Sequence, residues 1–141
     1  TIALCALVYS GLMQKYPNLK VVSHHCGGTL PYQAGRVLAT TESYEKSGTR
    51  RPSKYLIKRP YDYAKQFYGD TACYGNTGAL MCGYSFFGVD HILFGTDMPF
   101  GSEGGRYVRE TIKSVDEMNI SVEERRKIYE ENARKLFRLP I

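Results

Sequence analysis

The 141 residues include no tryptophan, and histidine occurs only three times, at 24, 25 and 91. A histidine-rich metal site is therefore out of reach of this sequence alone. The four cysteines, Cys5, Cys26, Cys73 and Cys82, contain no C-x-x-C pair, so the spacing of zinc knuckles and of dithiol redox motifs is missing. Three of them sit in apolar surroundings and read as buried free thiols, and a reducing, cytoplasmic compartment is expected. The longest apolar run, residues 2–9, is too short to span a bilayer. It has no basic leader and does not read as a signal peptide. Charge of one sign is not concentrated either. Lysine and arginine exceed aspartate and glutamate by 19 to 14, but acidic residues interleave with the basic cluster at 125–138. That pattern predicts a solvated helix face rather than a nucleic-acid footprint. The net +5 suits an anionic small molecule. With 43% hydrophobic and 23% charged residues, the composition supports a folded core.

The hydrophobic periodicity predicts alternating helices and strands. Residues 1–15 read as a helix that ends before Pro17, and this pattern is already under way at Thr1, as if the chain begins mid-architecture. Residues 19–23 form a short β-branched run expected to be a buried strand. A helix is expected over 29–47, then a basic linker over 48–60. A second strand candidate lies within 65–72, a helix over 77–87, and a third strand over 91–95. A glycine-rich loop at 101–105 precedes a helix over 106–118. Ser121 and Glu124 form a capping box that opens the last helix, whose periodic face runs from Val122 to Phe137. Strands alternating with helices predict an α/β fold with parallel pairing and right-handed crossovers.

In parallel α/β structures, reactive side chains sit where strands end. His25 ends the first strand and Asp97 the third, and each is followed by turn-forming residues, Gly27-Gly28 and Met98-Pro99. Asp97 offers a hard oxygen donor for a divalent metal. His25 suits a ligand or a general base acting on bound water. A turn aspartate and a satisfied strand-end histidine are the alternatives that the residues alone leave open. His24 cannot share a face with His25 if the strand alternates. His91 precedes its strand, at the opposite end, and reads as structural.

The string YPNLKVVSHHCGGTLPYQAGR at 16–36 resembles the amidohydrolase-related, metal-dependent decarboxylase and hydrolase family, of the aminocarboxymuconate-semialdehyde and γ-resorcylate decarboxylase kind. The segment DHILFGTDMPF at 90–100 resembles that family's last barrel strand, and YEENARKLF at 129–137 its closing helix. The resemblance implies a (β/α)₈ barrel with a mononuclear metal site at its C-terminal face. A complete barrel of that kind needs roughly 250 residues. Residues 1–141 are therefore expected to be the C-terminal half of one such domain, about strands six to eight with their helices. The family's His-x-His pair after strand one and its histidine after strand five have no counterpart here. The resemblance makes His25 catalytic beside the metal and Asp97 both a metal ligand and a proton-handling group. It places Arg36 on a position that grips a substrate carboxylate. Zn²⁺ is the metal it implies, with Mn²⁺ and Mg²⁺ among relatives. His24 and Cys26 depart from the usual small residue and glycine.

The leading expectation is part of a decarboxylase acting on an unsaturated or aromatic carboxylic acid. The same site on the same fold would also serve a hydrolase of a lactone, ester or amide. A non-catalytic α/β interaction module, holding an anion at 101–105, is the reading from another class. One aspartate and one histidine make a poor metal site, so this chain alone is expected to bind metal weakly and to catalyse little. Two open sheet edges are expected, and with them association with itself or with a missing N-terminal half. The substrate is a small carboxylate; neither nucleic acid nor membrane is an expected partner.

Overall fold

Three short parallel strands lie side by side at the centre of the chain: β1 (Val22–Ser23), β2 (Tyr68–Asp70) and β3 (Ile92–Leu93), adjacent in that order. Val22 pairs with Tyr68 and Ser23 with Gly69, and Gly69 and Asp70 pair in turn with Ile92 and Leu93. The structure, a computed structural model, describes residues 1–46, 56–101 and 104–140. Parallel neighbours need a crossover between them. Helices α3 (Leu30–Lys46) and α4 (Pro60–Ala64) supply it between β1 and β2, and α5 (Thr77–Phe87) between β2 and β3. Two helices precede the sheet, α1 (Ile2–Tyr9) and α2 (Leu12–Lys15). Three follow it, α6 (Arg106–Asp116), α7 (Val122–Arg126) and α8 (Asn132–Phe137). Among the described residues no helix is long and apolar enough to cross a membrane.

The expected alternation is present, with local differences. The first helix is two, because Gly11 adopts a left-handed φ of +75° that breaks the ladder between α1 and α2. α4 was not expected. It starts on Pro60, whose fixed φ suits a first helical turn. Most of the expected 48–60 linker lies outside the described residues, as do residues 102 and 103 of the glycine-rich loop. The core joins Leu4 and Val8 of α1, Met13 of α2, Leu30 and Leu38 of α3, Phe67 before β2, Leu80 of α5 and Ile128. The expected buried strand at 19–23 is shorter and half open. Val21 packs against the core, but alternation turns Val22 to the other face, where it is 43% exposed.

The last helical stretch holds the end of the sheet. α7 and α8 are joined by a π turn, Lys127–Glu131. From that turn the Ile128 carbonyl accepts the Phe94 N–H at 2.9 Å. Buried Asn132 donates through Nδ2 to the carbonyls of Ile92, at 2.8 Å, and Val89, at 2.7 Å. Helix groups therefore occupy the outer edge of β3, one of the two sheet edges expected to be open. Val122 and Phe137, expected on the buried face, are 72% and 58% exposed, while Ile128 and Asn132 are buried.

The capping box forms. Ser121 Oγ accepts the Glu124 N–H at 3.1 Å, and Glu124 Oε2 accepts the Ser121 N–H at 2.9 Å. Tyr84 donates to Glu124 Oε1 at 2.6 Å. The Tyr84 hydrogen bond first, then the Ser121 N–H, hold the Glu124 carboxyl below its ordinary value of 4.5. A carboxylate with a depressed folded pKa contributes stability above its unfolded value and loses it as pH falls through the folded one. Glu124→Gln is therefore expected to be less stable than the parent near neutral pH, with the gap closing as pH drops below 4.5. Urea melts of both proteins across that range measure it, and a gap that ignores pH would exclude the charge as its cause.

Candidate active site

The chain leaves each strand through an uncommon backbone conformation. After β1, His25 and Cys26 have φ of 52° and 51°. After β2, Tyr74 has φ of 48°, and after β3, Asp97 has φ of 60°, followed by a cis Met98-Pro99 bond. Left-handed geometry at a non-glycine residue costs about 1–3 kcal/mol, and such residues concentrate at functional sites. Here they stand at the carboxyl ends of all three strands.

Side-chain contacts join these three ends. Tyr74 donates its hydroxyl hydrogen to Asp97 Oδ2. Its ring stacks on Tyr107 of α6 with centroids 4.0 Å apart and lies 6.0 Å from the His25 ring. His25 Nδ1 is 2.9 Å from the Ala72 carbonyl. A carbonyl only accepts, so Nδ1 carries the hydrogen and Nε2 is left to take or give a proton. Thr71, fully buried, donates to the Gly95 carbonyl at 2.9 Å and accepts the Gly95 N–H at 3.0 Å, fixing the end of β2 to that of β3. Asp70 Oδ1 accepts the N–H groups of Ala72 at 3.0 Å and Cys26 at 3.4 Å, fixing β2 to the turn after β1. The hydrogen bond to Asp97 pushes the Tyr74 phenol up to about 12, with desolvation and the carboxylate's charge acting in the same direction. It therefore remains a hydrogen donor at neutral pH. Burial raises the Asp70 carboxyl above its ordinary range, against the pull of the Ala72 and Cys26 N–H groups.

The structure thus brings His25 and Asp97 to one rim, with Tyr74 between them. Arg36 lies on an exposed side of α3 rather than at a strand end. His24 is exposed, its ring edge-on to His25 at 4.7 Å. His91 sits before β3, 3.0 Å from the Phe67 carbonyl through Nδ1 and stacked on Tyr68 at 4.4 Å, which is a structural role. Among the described residues no group of three His, Cys, Asp or Glu is placed to hold a metal ion. Asp97 offers one donor where a catalytic metal commonly takes three from protein. The described residues therefore do not compose a complete metal site. Tyr74, Tyr107 and Asp70 were missed in the sequence. Asp70 ends its strand as Asp97 does, and the same strand-end rule would have found it.

Known proteins resemble this chain along almost all of its length. The amidohydrolase family profile matches residues 1–139. The γ-resorcylate decarboxylase of Polaromonas sp. is 33% identical over 94% of this chain and 38% of its own length. A 6-methylsalicylic acid decarboxylase of Penicillium expansum is 36% identical over 66% of this chain and 27% of its own. Among solved structures, a dihydroxybenzoic acid decarboxylase from Polaromonas sp., with bound manganese and 2-nitroresorcinol, superposes with a TM-score of 0.77. It shares 30% identity, over 99% of this chain and 40% of that one. A 5-carboxyvanillate decarboxylase from Novosphingobium aromaticivorans, complexed with manganese and a nitrobenzoic acid, gives a TM-score of 0.82 at 25% identity, over 98% and 38% of the two chains. The chain spans about two fifths of these solved structures. The expected fold, a portion of a (β/α)₈ barrel, stands.

Proposed function

The chain belongs to the amidohydrolase family, and on that premise we propose that it supplies one wall of the active site of a decarboxylase acting on an aromatic or unsaturated carboxylic acid. The observation that carries this reading is the joined rim of His25, Tyr74 and Asp97 at the ends of three parallel strands. The names of the relatives and structural neighbours support the reaction: the four described above are all decarboxylases of aromatic acids. We assign residues 1–141 to one barrel domain whose further ligands lie outside this chain. The metal of this reading is divalent, Zn²⁺ or Mn²⁺, and the manganese bound in two neighbours supports a divalent ion.

In this reading Asp97 is the chain's ligand to that metal. Tyr74 holds Oδ2 of Asp97, leaving Oδ1 as the free donor. His25 Nε2 handles a proton at the substrate, its ring oriented by the Ala72 carbonyl. Arg36 grips a carboxylate of the small-molecule substrate. The free thiols support a cytoplasmic location. Association with a second copy or with the remaining part of a barrel would complete the structure.

The test compares this chain with the longer in-frame polypeptide. The chain alone is expected to take up neither Mn²⁺ nor Zn²⁺ stoichiometrically by calorimetry. The longer protein is expected to contain an upstream His-x-His, to bind one metal ion, and to release CO₂ from a hydroxybenzoate panel. Ring opening of lactones without CO₂ release would replace the lyase by the hydrolase. Tight stoichiometric metal on the short chain would refute the divided site.

A further inference from the structure

We propose that the cleft at the amino ends of the strands binds a compact multivalent anion of the diphosphate class. The cleft lies at the end of the sheet opposite His25, Tyr74 and Asp97 and does not rest on the decarboxylase reading. Parallel strands put all their starts on one side. Lys20 stands just before β1, Tyr68 opens β2, and Asp90 and His91 precede β3. The end of α8 adds Lys135 and Arg138, and together these residues line a cleft of about 480 Å³. Two of its walls are fixed. The His91 and Tyr68 rings stack with centroids 4.4 Å apart, and His91 Nδ1 is held by the Phe67 carbonyl. Arg138 takes a left-handed φ of 54° that ends α8, and its N–H and that of Leu139 both donate to the Arg134 carbonyl.

The charges around this cleft do not balance. Lys20, Lys135 and Arg138 are exposed, and among the described residues none of them is in an ion pair. Asp90 is the one carboxylate among the described lining residues, and Lys127 Nζ already meets its Oδ1 at 2.8 Å. That hydrogen bond holds the Asp90 carboxyl below its ordinary range, with the charges of Lys127 and Lys135 acting in the same direction. Asp90 is therefore ionised at neutral pH and offset by Lys127, which leaves the other three cations without a counter-charge. Like charges gathered around one concave surface concentrate anions there. A single phosphoryl group carries about −1.5 to −2 at neutral pH and leaves part of that charge over, whereas a diphosphate offsets nearly all of it. The donors suit it as well. The Arg138 guanidinium is a planar fork for two oxygens of one phosphoryl group, and the two ammonium groups are compact point charges for the oxygens of the other.

The experiment titrates the purified chain with sodium pyrophosphate by calorimetry at about 0.1 M ionic strength, beside orthophosphate and citrate. The expected result is one saturable pyrophosphate site per chain, with orthophosphate weaker. Lys20→Gln and Arg138→Gln are each expected to weaken it at least about tenfold. Lys113→Gln, which removes an equal charge from the exposed Lys113–Glu117 pair on α6, leaves it within about twofold. Asp90→Asn removes the carboxylate from the cleft and is expected to tighten binding about threefold, a gain that misfolding does not imitate. Circular dichroism checks that every variant folds. Heats that never saturate, parental affinity in both Lys20→Gln and Arg138→Gln, or an equal loss in Lys113→Gln would overturn the proposal. Citrate binding as tightly as pyrophosphate would overturn the diphosphate assignment.

Discussion

In a barrel-length protein carrying this chain, Asp97→Ala is expected to lower kcat/KM for CO₂ release at least about 10³-fold, equivalent to about 4 kcal/mol of lost transition-state stabilisation. Asp97 is the carboxylate at the end of β3. Its backbone is left-handed, and Tyr74 fixes one of its two oxygens. Asp97→Asn keeps the size and the acceptor for Tyr74 but removes the charge, and the same loss is expected. Tyr74→Phe removes only the donor. A smaller fall than at Asp97, roughly ten- to a hundredfold, is expected there. Rates of CO₂ release, with folding checked by circular dichroism, measure all three. An Asp97→Ala protein retaining more than about a tenth of the parent's rate would remove Asp97 from the mechanism.

The largest effect on stability is expected at Phe67. Its side chain is wholly buried, and its carbonyl accepts from His91 Nδ1 at 3.0 Å. Phe67→Ala leaves that backbone bond in place but opens a cavity just before β2. Such truncations cost about 3–5 kcal/mol, against a total of about 5–15 kcal/mol for a typical domain. The urea midpoint is expected to fall by about 2 M for a slope near 2 kcal/mol/M. A shift below about 0.5 M would mean that the site collapses around the missing ring.

Much of this architecture is legible in the residues. The α5 boundaries, the Ser121–Glu124 capping box and the positions of the three strands follow from periodicity and from capping chemistry, which act over a few neighbours. What escaped is what depends on distant partners. Gly11 divides the first helix through a left-handed φ, which a single glycine inside a helical pattern does not announce. Val22 reads as buried because a β-branched run carries no mark of which face is covered. Tyr74 follows no motif and becomes notable only when its hydroxyl meets Asp97. The His25 and Asp97 positions could be found early because strand ends are visible in sequence. Arg36 was reached only through resemblance, and its place on α3 does not by itself give it a role.

The contact between the π turn and β3 also bears on how the sheet can grow. With the Phe94 N–H and the Ile92 carbonyl already occupied by Ile128 and Asn132, a strand that pairs with the β3 flank has first to displace those helix groups. Closing a barrel at that flank therefore exchanges hydrogen bonds rather than adding them.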